Sequence, residues 1–504
     1  MPIRFPLALL AFPLTASLAA QQPEPPVALT IYNQDFAVAR TQVDLDLHPG
    51  SNEVTTTQVT SRLEPDSVVL RDPAAKHAFH IEEQNYDAGV ISQDSLLEKF
   101  EGKTINFQTG SSTFADGKWV TGPTVPGKIL RAPRAPIQID GQYQQNQPLI
   151  EVNGQMQFAL PGTPLFPAST DGLLLKPTLR WQIVSQAAQH FAAELAYITG
   201  GLSWEANYNI VAPESTGATT EDKADVLGWV TIHNQSGTDF PQARIKLMAG
   251  DVAKIVQPTF NGMLKSRMYD MAASVAVQPQ VTQKAFDDFH LYDLNRTTSL
   301  RDSEIKQIQF IEASGVTLTR SYVYDGAAEN LQPWANYNNS FIDQPNYGVN
   351  PGATKVQIQE QFKNSEANHL GIPLPAGRIR LYRRDSDGQM EFVGESTINH
   401  TPTENTVKIA TGNAFDIKGA RRQTDFHVNQ TARNLDETFE IKLTNQKAQP
   451  VTVNVVEHLY RGDNWRIPEK SSDYTKLDSH TLQFAVPVPA KGAATLTYSV
   501  HYTW

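Results

Sequence analysis

The chain has 504 residues, with 42 Lys and Arg against 53 Asp and Glu, a formal net charge of −11, and no cysteine. Without cysteine there are no disulfides, no thiolate metal ligands and no cysteine-linked lipid anchor, so the fold rests on apolar burial, and the length calls for several domains. The charge is modest and forms no basic stripe, which argues against nucleic acid or an anionic lipid surface as partner.

In chain order, Arg4 precedes an apolar run from Phe5 to Leu14, then small residues and the polar Gln21-Gln22. This is the order of a secretory signal peptide over residues 1–20. Ser17 and Ala19 occupy the small-residue positions, which places the mature start at Ala20 or Gln21. The run is too short to cross a bilayer, which takes about 20 apolar residues, and no later segment reaches that length.

Residues 27–93 read as an N-terminal β domain. Over 94–165 the pattern changes: a helical turn at Asp94–Phe100 leads into short strands such as 104–107, 128–130, 149–152 and 156–158. These short strands suggest a small inserted β-barrel, because closure would remove their exposed edges. Residues 173–256 form a central β-sandwich region that can pack with 27–93. The stretch 257–290, rich in Ala and Gln and broken by Pro279, reads as a loosely ordered linker, and 326–352, rich in Asn, Pro and Tyr, has a similar character. A β-sandwich over 300–412 and an immunoglobulin-like sandwich over 413–504 complete the plan.

The strand signal is cleanest near the C-terminus, where 439–443, 451–455 and 496–504 alternate apolar and polar residues strictly, giving each strand one buried and one wet face. A strand running into an asparagine and a turn recurs at Asn234, Asn364 and Asn445. Asparagine bonds its own turn and tolerates left-handed backbone, so it suits the tight end of a sandwich strand. Repeated strand–turn–strand units at short spacing point to antiparallel β-sandwiches of immunoglobulin-like build.

Few residue patterns suggest chemistry. Gly122 to Ile129 approaches a phosphate-binding loop, but Ile129 stands where a hydroxyl is needed, and Pro133 and Pro136 exclude the helix that should follow. His77, His80 and Glu82 fail as a metal site: on a strand only His80 and Glu82 share a face, and zinc takes about three or four ligands. Accordingly no catalytic residue, metal ligand or cofactor is assigned.

Glu395, His400 and Glu457 are the carboxylates and imidazole that would serve a hydrolase as acid or base, the main alternative to a non-catalytic reading. Arg461-Gly462-Asp463 is an adhesion-type tripeptide but equally an ordinary charged turn before Trp465. Tyr322, Tyr324, Trp334, Tyr337 and Tyr347 lie among Asn and Asp and form a candidate platform on which sugar rings would stack. The tail places Leu496, Tyr498, Val500, Tyr502 and Trp504 on one face, as an outer-membrane barrel strand would. A barrel needs repeated strands of about ten residues with an unbroken apolar lipid face, so the tail is read as the closing strand of a sandwich.

Several phrases resemble one bacterial family. They include 28–40 (ALTIYNQDFAVAR), 173–181 (LLLKPTLRW), 197–208 (YITGGLSWEANY), 228–237 (GWVTIHNQSG), 247–251 (LMAGD), 373–377 (PLPAG) and 393–402 (VGESTINHTP). In this order, along nearly the whole mature chain, they resemble the mucoidy-inhibitor-A-like proteins that carry the domain of unknown function numbered 4139. The chain departs from longer members in lacking their coiled-coil insertion. The resemblance implies a β-rich, exported protein with no assigned activity. The sequence thus leads to the expectation of a non-catalytic module of the periplasm or cell surface, with an envelope protein or a glycan as partner.

Overall fold

The computed structural model describes residues 27–89, 92–110, 113–115, 118–120, 122–139, 142–167, 176–214, 221–250, 252–254, 282–286, 289–327, 344–346, 348–459 and 461–504. Among the described residues the molecule is mostly β, built from open multi-stranded sheets of sandwich type, none of which closes into a barrel. Residues 1–26, which include the expected signal peptide, lie outside the described range.

A seven-stranded sheet runs in the order Thr282–Phe286, Phe289–Leu300, Phe240–Ala249, Ala28–Tyr32, Phe36–Leu47, Gln189–Gly200 and Val69–Arg71. Within it only Ala28–Tyr32 and Phe240–Ala249 run parallel. Phe36–Leu47 shows why the sequence makes such strands: its even-spaced Val43, Leu45 and Leu47 are buried, and Asp44 and Asp46 between them are exposed. A three-stranded sheet of Gly50–Thr56, Thr178–Ser185 and Phe79–Asp87 packs on the same core through Leu179, Trp181 and Ile183.

The largest sheet has thirteen strands. Its main path is Met390–Ile398, Gly377–Arg384, Leu202–Pro213, Glu221–Asn234, Ile305–Asp325, Lys355–Lys363, Thr406–Asn429, Asn434–Asn445, Gly492–Thr503 and Asn464–Lys470. Val451–His458, Thr481–Val488 and Tyr474–Lys476 branch from it. Its first part faces the seven-stranded sheet across one core, to which Trp204, Tyr208, Ile210, Val230 and Ile379 contribute. Its second part encloses another core of Phe439, Ile441, Val453, Val455, Phe484, Tyr498 and Val500.

Two long strands link these cores. Ile305–Asp325 places Ile308 and Phe310 in the first and Tyr322 and Tyr324 in the second, while Thr406–Asn429 gives Val407 and Ile409 to the first and Ala414 and Ile417 to the second. Each carries a glycine at positive φ, Gly315 at 75° and Gly412 at 150°, where the pairing with the neighbouring strand shifts register.

Two local expectations are corrected. Strands of the 94–165 segment form an open five-stranded sheet, from Gln155–Gln157 through Leu149–Val152, Thr124–Arg131 and Thr104–Gln108 to Thr163–Leu165. They do not form a closed barrel. Both outer strands have only three residues, and Pro164 in one of them has no N–H to extend the ladder. The helix expected there is present as Gln93–Lys99, capped by a reciprocal pair of hydrogen bonds between Ser92 and Ser95. In the expected linker, residues 257–281 lie outside the described range, but Thr282–Phe286 pairs with Phe289–Leu300 as sheet.

The three asparagines have a common role. Each is fully buried. Asn234 Nδ2 donates to the carbonyls of Thr238 and Arg301, and its Oδ1 accepts from Ser236 N. Asn364 Nδ2 donates to Ile372 O and Pro402 O, and its Oδ1 accepts from Gly371 N. Asn445 Nδ2 donates to Gln449 O and Pro489 O, and its Oδ1 accepts from Lys447 N. One side chain therefore satisfies both donors and acceptors of a buried turn at a strand end, which an apolar residue could not do.

Candidate functional site

A pocket of about 280 Å³ opens at one end of the first sandwich, lined by Asn33, Asp35, Gly201, Ser203, Trp204, Glu205, His233 and Gln235. Three chain segments build it. The first is the turn between Ala28–Tyr32 and Phe36–Leu47, where Asp35 takes φ 60° and the flanking Tyr32 and Phe36 rings stack with centroids 4.3 Å apart. The second is the Gly200-Gly201 corner. Gly201 has φ 78°, and a Cβ there would lie 2.5 Å from Gln235 O, so only glycine fits. The third is the end of Glu221–Asn234, carrying His233 and Gln235, whose backbone N donates to Gly201 O at 2.6 Å.

Trp204 backs the pocket with only 3% exposure, and its Nε1 donates to Met248 O at 3.1 Å, which fixes the ring. Glu205 Oε1 accepts from Asn207 Nδ2 at 3.3 Å. Asp35 faces the charges of Arg62 and Lys254; burial pushes its carboxyl above the ordinary value, and those two cations oppose the shift. Lys254 is itself held over the Phe36 ring at 4.9 Å and paired with Glu64 at 2.5 Å. The side chains of Asn33, Ser203, His233 and Gln235 make no hydrogen bond to another described residue.

The residues singled out from the sequence do not line this pocket. Glu395 is exposed on Met390–Ile398, beside Arg380 at 3.3 Å. His400 Nδ1 accepts from Ala376 N at 3.1 Å. Glu457 is fully buried in the second core, where both its oxygens accept from Arg421 Nε at 2.9 and 3.1 Å and the Tyr498 hydroxyl donates to it. Burial, the largest single influence, would pull the Arg421 guanidinium down, but the Glu457 carboxylate and the Tyr498 hydroxyl together outweigh it and hold the group above its ordinary value. The Arg421 guanidinium also stacks over Phe439 at 3.9 Å. This closed arrangement leaves Glu457 no access to a substrate.

Arg461 of the adhesion-type tripeptide is likewise buried, donating to Glu437 at 2.9 Å and lying over Phe426 at 4.8 Å, so the tripeptide is not displayed as a unit. His77 pairs with Asp72 at 2.8 Å and stacks on Phe191 at 4.1 Å.

Of the proposed sugar platform, Tyr322 and Tyr324 face the second core, 8% and 0% exposed. Tyr324 donates to Ala353 O and the Tyr322 hydroxyl accepts from Lys447 Nζ, so neither presents a ring face for stacking. Trp334, Tyr337 and Tyr347 lie outside the described residues.

The pocket residues were not apparent as a site from sequence, because polar residues at strand ends read as ordinary turns. The available signal was positional: all eight lining residues fall within the phrases 28–40, 197–208 and 228–237. No family model matches the chain, and no curated protein matches it.

Proposed function

We propose that the chain is a non-catalytic, exported module of the bacterial cell envelope, related to the mucoidy-inhibitor-A-like proteins, and that it acts by binding rather than by chemistry. The observation that carries this reading is the separation of the hydrolase candidates. Glu457 is sealed against Arg421 in the second core, away from Glu395, which pairs with Arg380 on Met390–Ile398, and from His400, which accepts from the Ala376 amide. None of the three lines the described pocket. General acid–base catalysis needs a positioned group that reaches the substrate, and a sealed ion pair cannot supply it.

The residue pattern of 1–20 supports export, and continuous sheets with three asparagine-locked turns support a rigid scaffold. Among the described residues no helix is long and apolar enough to cross a membrane. The test is cell fractionation followed by capture from envelope extract on the immobilised mature chain. The expected result is a processed chain in the envelope fraction and saturable retention of a discrete envelope component, competed by free protein. An unprocessed chain confined to the cytoplasm would overturn the reading.

A further inference from the structure

We infer that the pocket between the Asn33–Asp35 turn, the Gly201 corner and the His233–Gln235 strand end binds a neutral, hydroxyl-rich ligand the size of a single sugar ring. The inference deepens the binding-module reading by naming the class of ligand and its place in the fold. The pocket's volume, about 280 Å³, is near the small end of ligand sites, which begin at roughly 300 Å³.

Its polar lining suits hydroxyl groups. Two side-chain amides, Asn33 and Gln235, each offer donors and an acceptor; the Ser203 hydroxyl and His233 imidazole bond through oxygen and nitrogen; and Asp35 and Glu205 accept from O–H. Asn33, Ser203, His233 and Gln235 have no described internal partner through their side chains, in contrast to the asparagines 234, 364 and 445, whose side chains are fully engaged. Saccharide hydroxyls, which donate and accept at once, fit such a mixed set.

Charge argues against ionic ligands. Asp35 and Glu205 repel anions, while Arg62 and Lys254 beside Asp35 offset the pull on a cationic amine. Among the described residues no three His, Asp or Glu side chains are placed to hold a metal ion. The frame is fixed before any ligand arrives, by the left-handed Gly201, the Tyr32–Phe36 stack and the Trp204–Met248 hydrogen bond, so little ordering entropy is lost on binding.

Saturation-transfer difference NMR on the purified chain tests this with glucose, galactose, N-acetylglucosamine and glycerol, and with putrescine and inorganic phosphate as charged probes. The expected result is transfer to at least one sugar with a dissociation constant on the order of 1 mM. Ser203→Trp, which fills the pocket, should abolish it. Asn33→Ala and Gln235→Ala, at exposed turn positions that do not support the core, should each weaken it about fivefold while leaving the melting temperature unchanged. Failure of every sugar, survival of sugar binding in Ser203→Trp with unchanged affinity in Gln235→Ala, or displacement of sugar by putrescine or phosphate would overturn the inference. Envelope capture that persists in Ser203→Trp would refute the pocket assignment and leave the module reading standing.

Discussion

Replacing Asn445 by alanine removes three hydrogen bonds at once: two donated by Nδ2, to Gln449 O at 2.9 Å and Pro489 O at 3.1 Å, and one accepted from Lys447 N at 2.9 Å. Asn445 is 0% exposed, so the two carbonyls and the amide lose their partner where water does not easily replace it. At about 1 kcal/mol for each net bond, rising where a buried group is left unsatisfied, the loss is about 3 to 5 kcal/mol. Urea unfolding followed by circular dichroism measures it.

Asn52 is the matched control. It makes no fewer bonds, since its Nδ2 donates to His48 O, Gly50 O and Ile183 O and its Oδ1 accepts from His48 N, but it does so at a solvent-accessible turn, so Asn52→Ala should lose less than about 1 kcal/mol. Equal losses at Asn445 and Asn52 would refute the argument that burial, rather than the number of bonds, sets the cost. Asn445→Asp should not rescue stability, because it keeps the acceptor but loses both donors and buries a charge.

Other consequences follow from the cores. Arg421→Ala should cost about 3 to 5 kcal/mol by stranding the Glu457 carboxylate, and the double change Arg421→Met with Glu457→Leu should recover most of it, as read by urea midpoints. A double variant no more stable than Arg421→Ala would contradict that account. Gly201→Ala should destabilise the first sandwich and abolish ligand binding together, since its Cβ would meet Gln235 O; a thermal melt and the sugar titration check this.

Alkaline stability is set by the buried tyrosines. Burial, reinforced by the Glu457 charge, pushes Tyr324 up to about 12 from its ordinary value of 10 and raises Tyr498 well above that value. The unfolded chain therefore loses these protons first. Stability should be complete below pH 10 and fall as pH rises through 12, by up to about 3 kcal/mol for Tyr324 alone. Tyr324→Phe should lessen that pH dependence in a denaturation series.

Much of the fold was legible because period-two alternation is a direct record of which face is buried. Leu496, Tyr498, Val500 and Tyr502 alternate in sequence and all point into the second core, on a strand paired on both sides. The asparagine recurrence was legible for the same physical reason: a polar residue at a fixed place after an apolar strand usually serves the turn.

What failed depended on distance in space. Nothing near Glu457 in sequence announces Arg421 or Tyr498, so a buried structural carboxylate resembled a candidate base. Tyr322 and Tyr324 sit among polar neighbours, yet face inward because their strand has passed into the second core. The sheet at 104–165 looked like a barrel because short strands alone do not reveal whether the outer pair meet. The pocket was hidden because its residues come from three segments that only the paired sheets bring together.

Binding without cleavage is tested most directly by incubating the purified chain, residues 21–504, with isolated envelope material and measuring co-sedimentation and released soluble fragments in the same samples. A binding module should co-sediment saturably, with fragment release no greater than in protein-free controls and identical behaviour for Glu395→Gln and His400→Ala. Release of soluble fragments that rises with time and is lost in either variant would contradict it and establish a hydrolase instead.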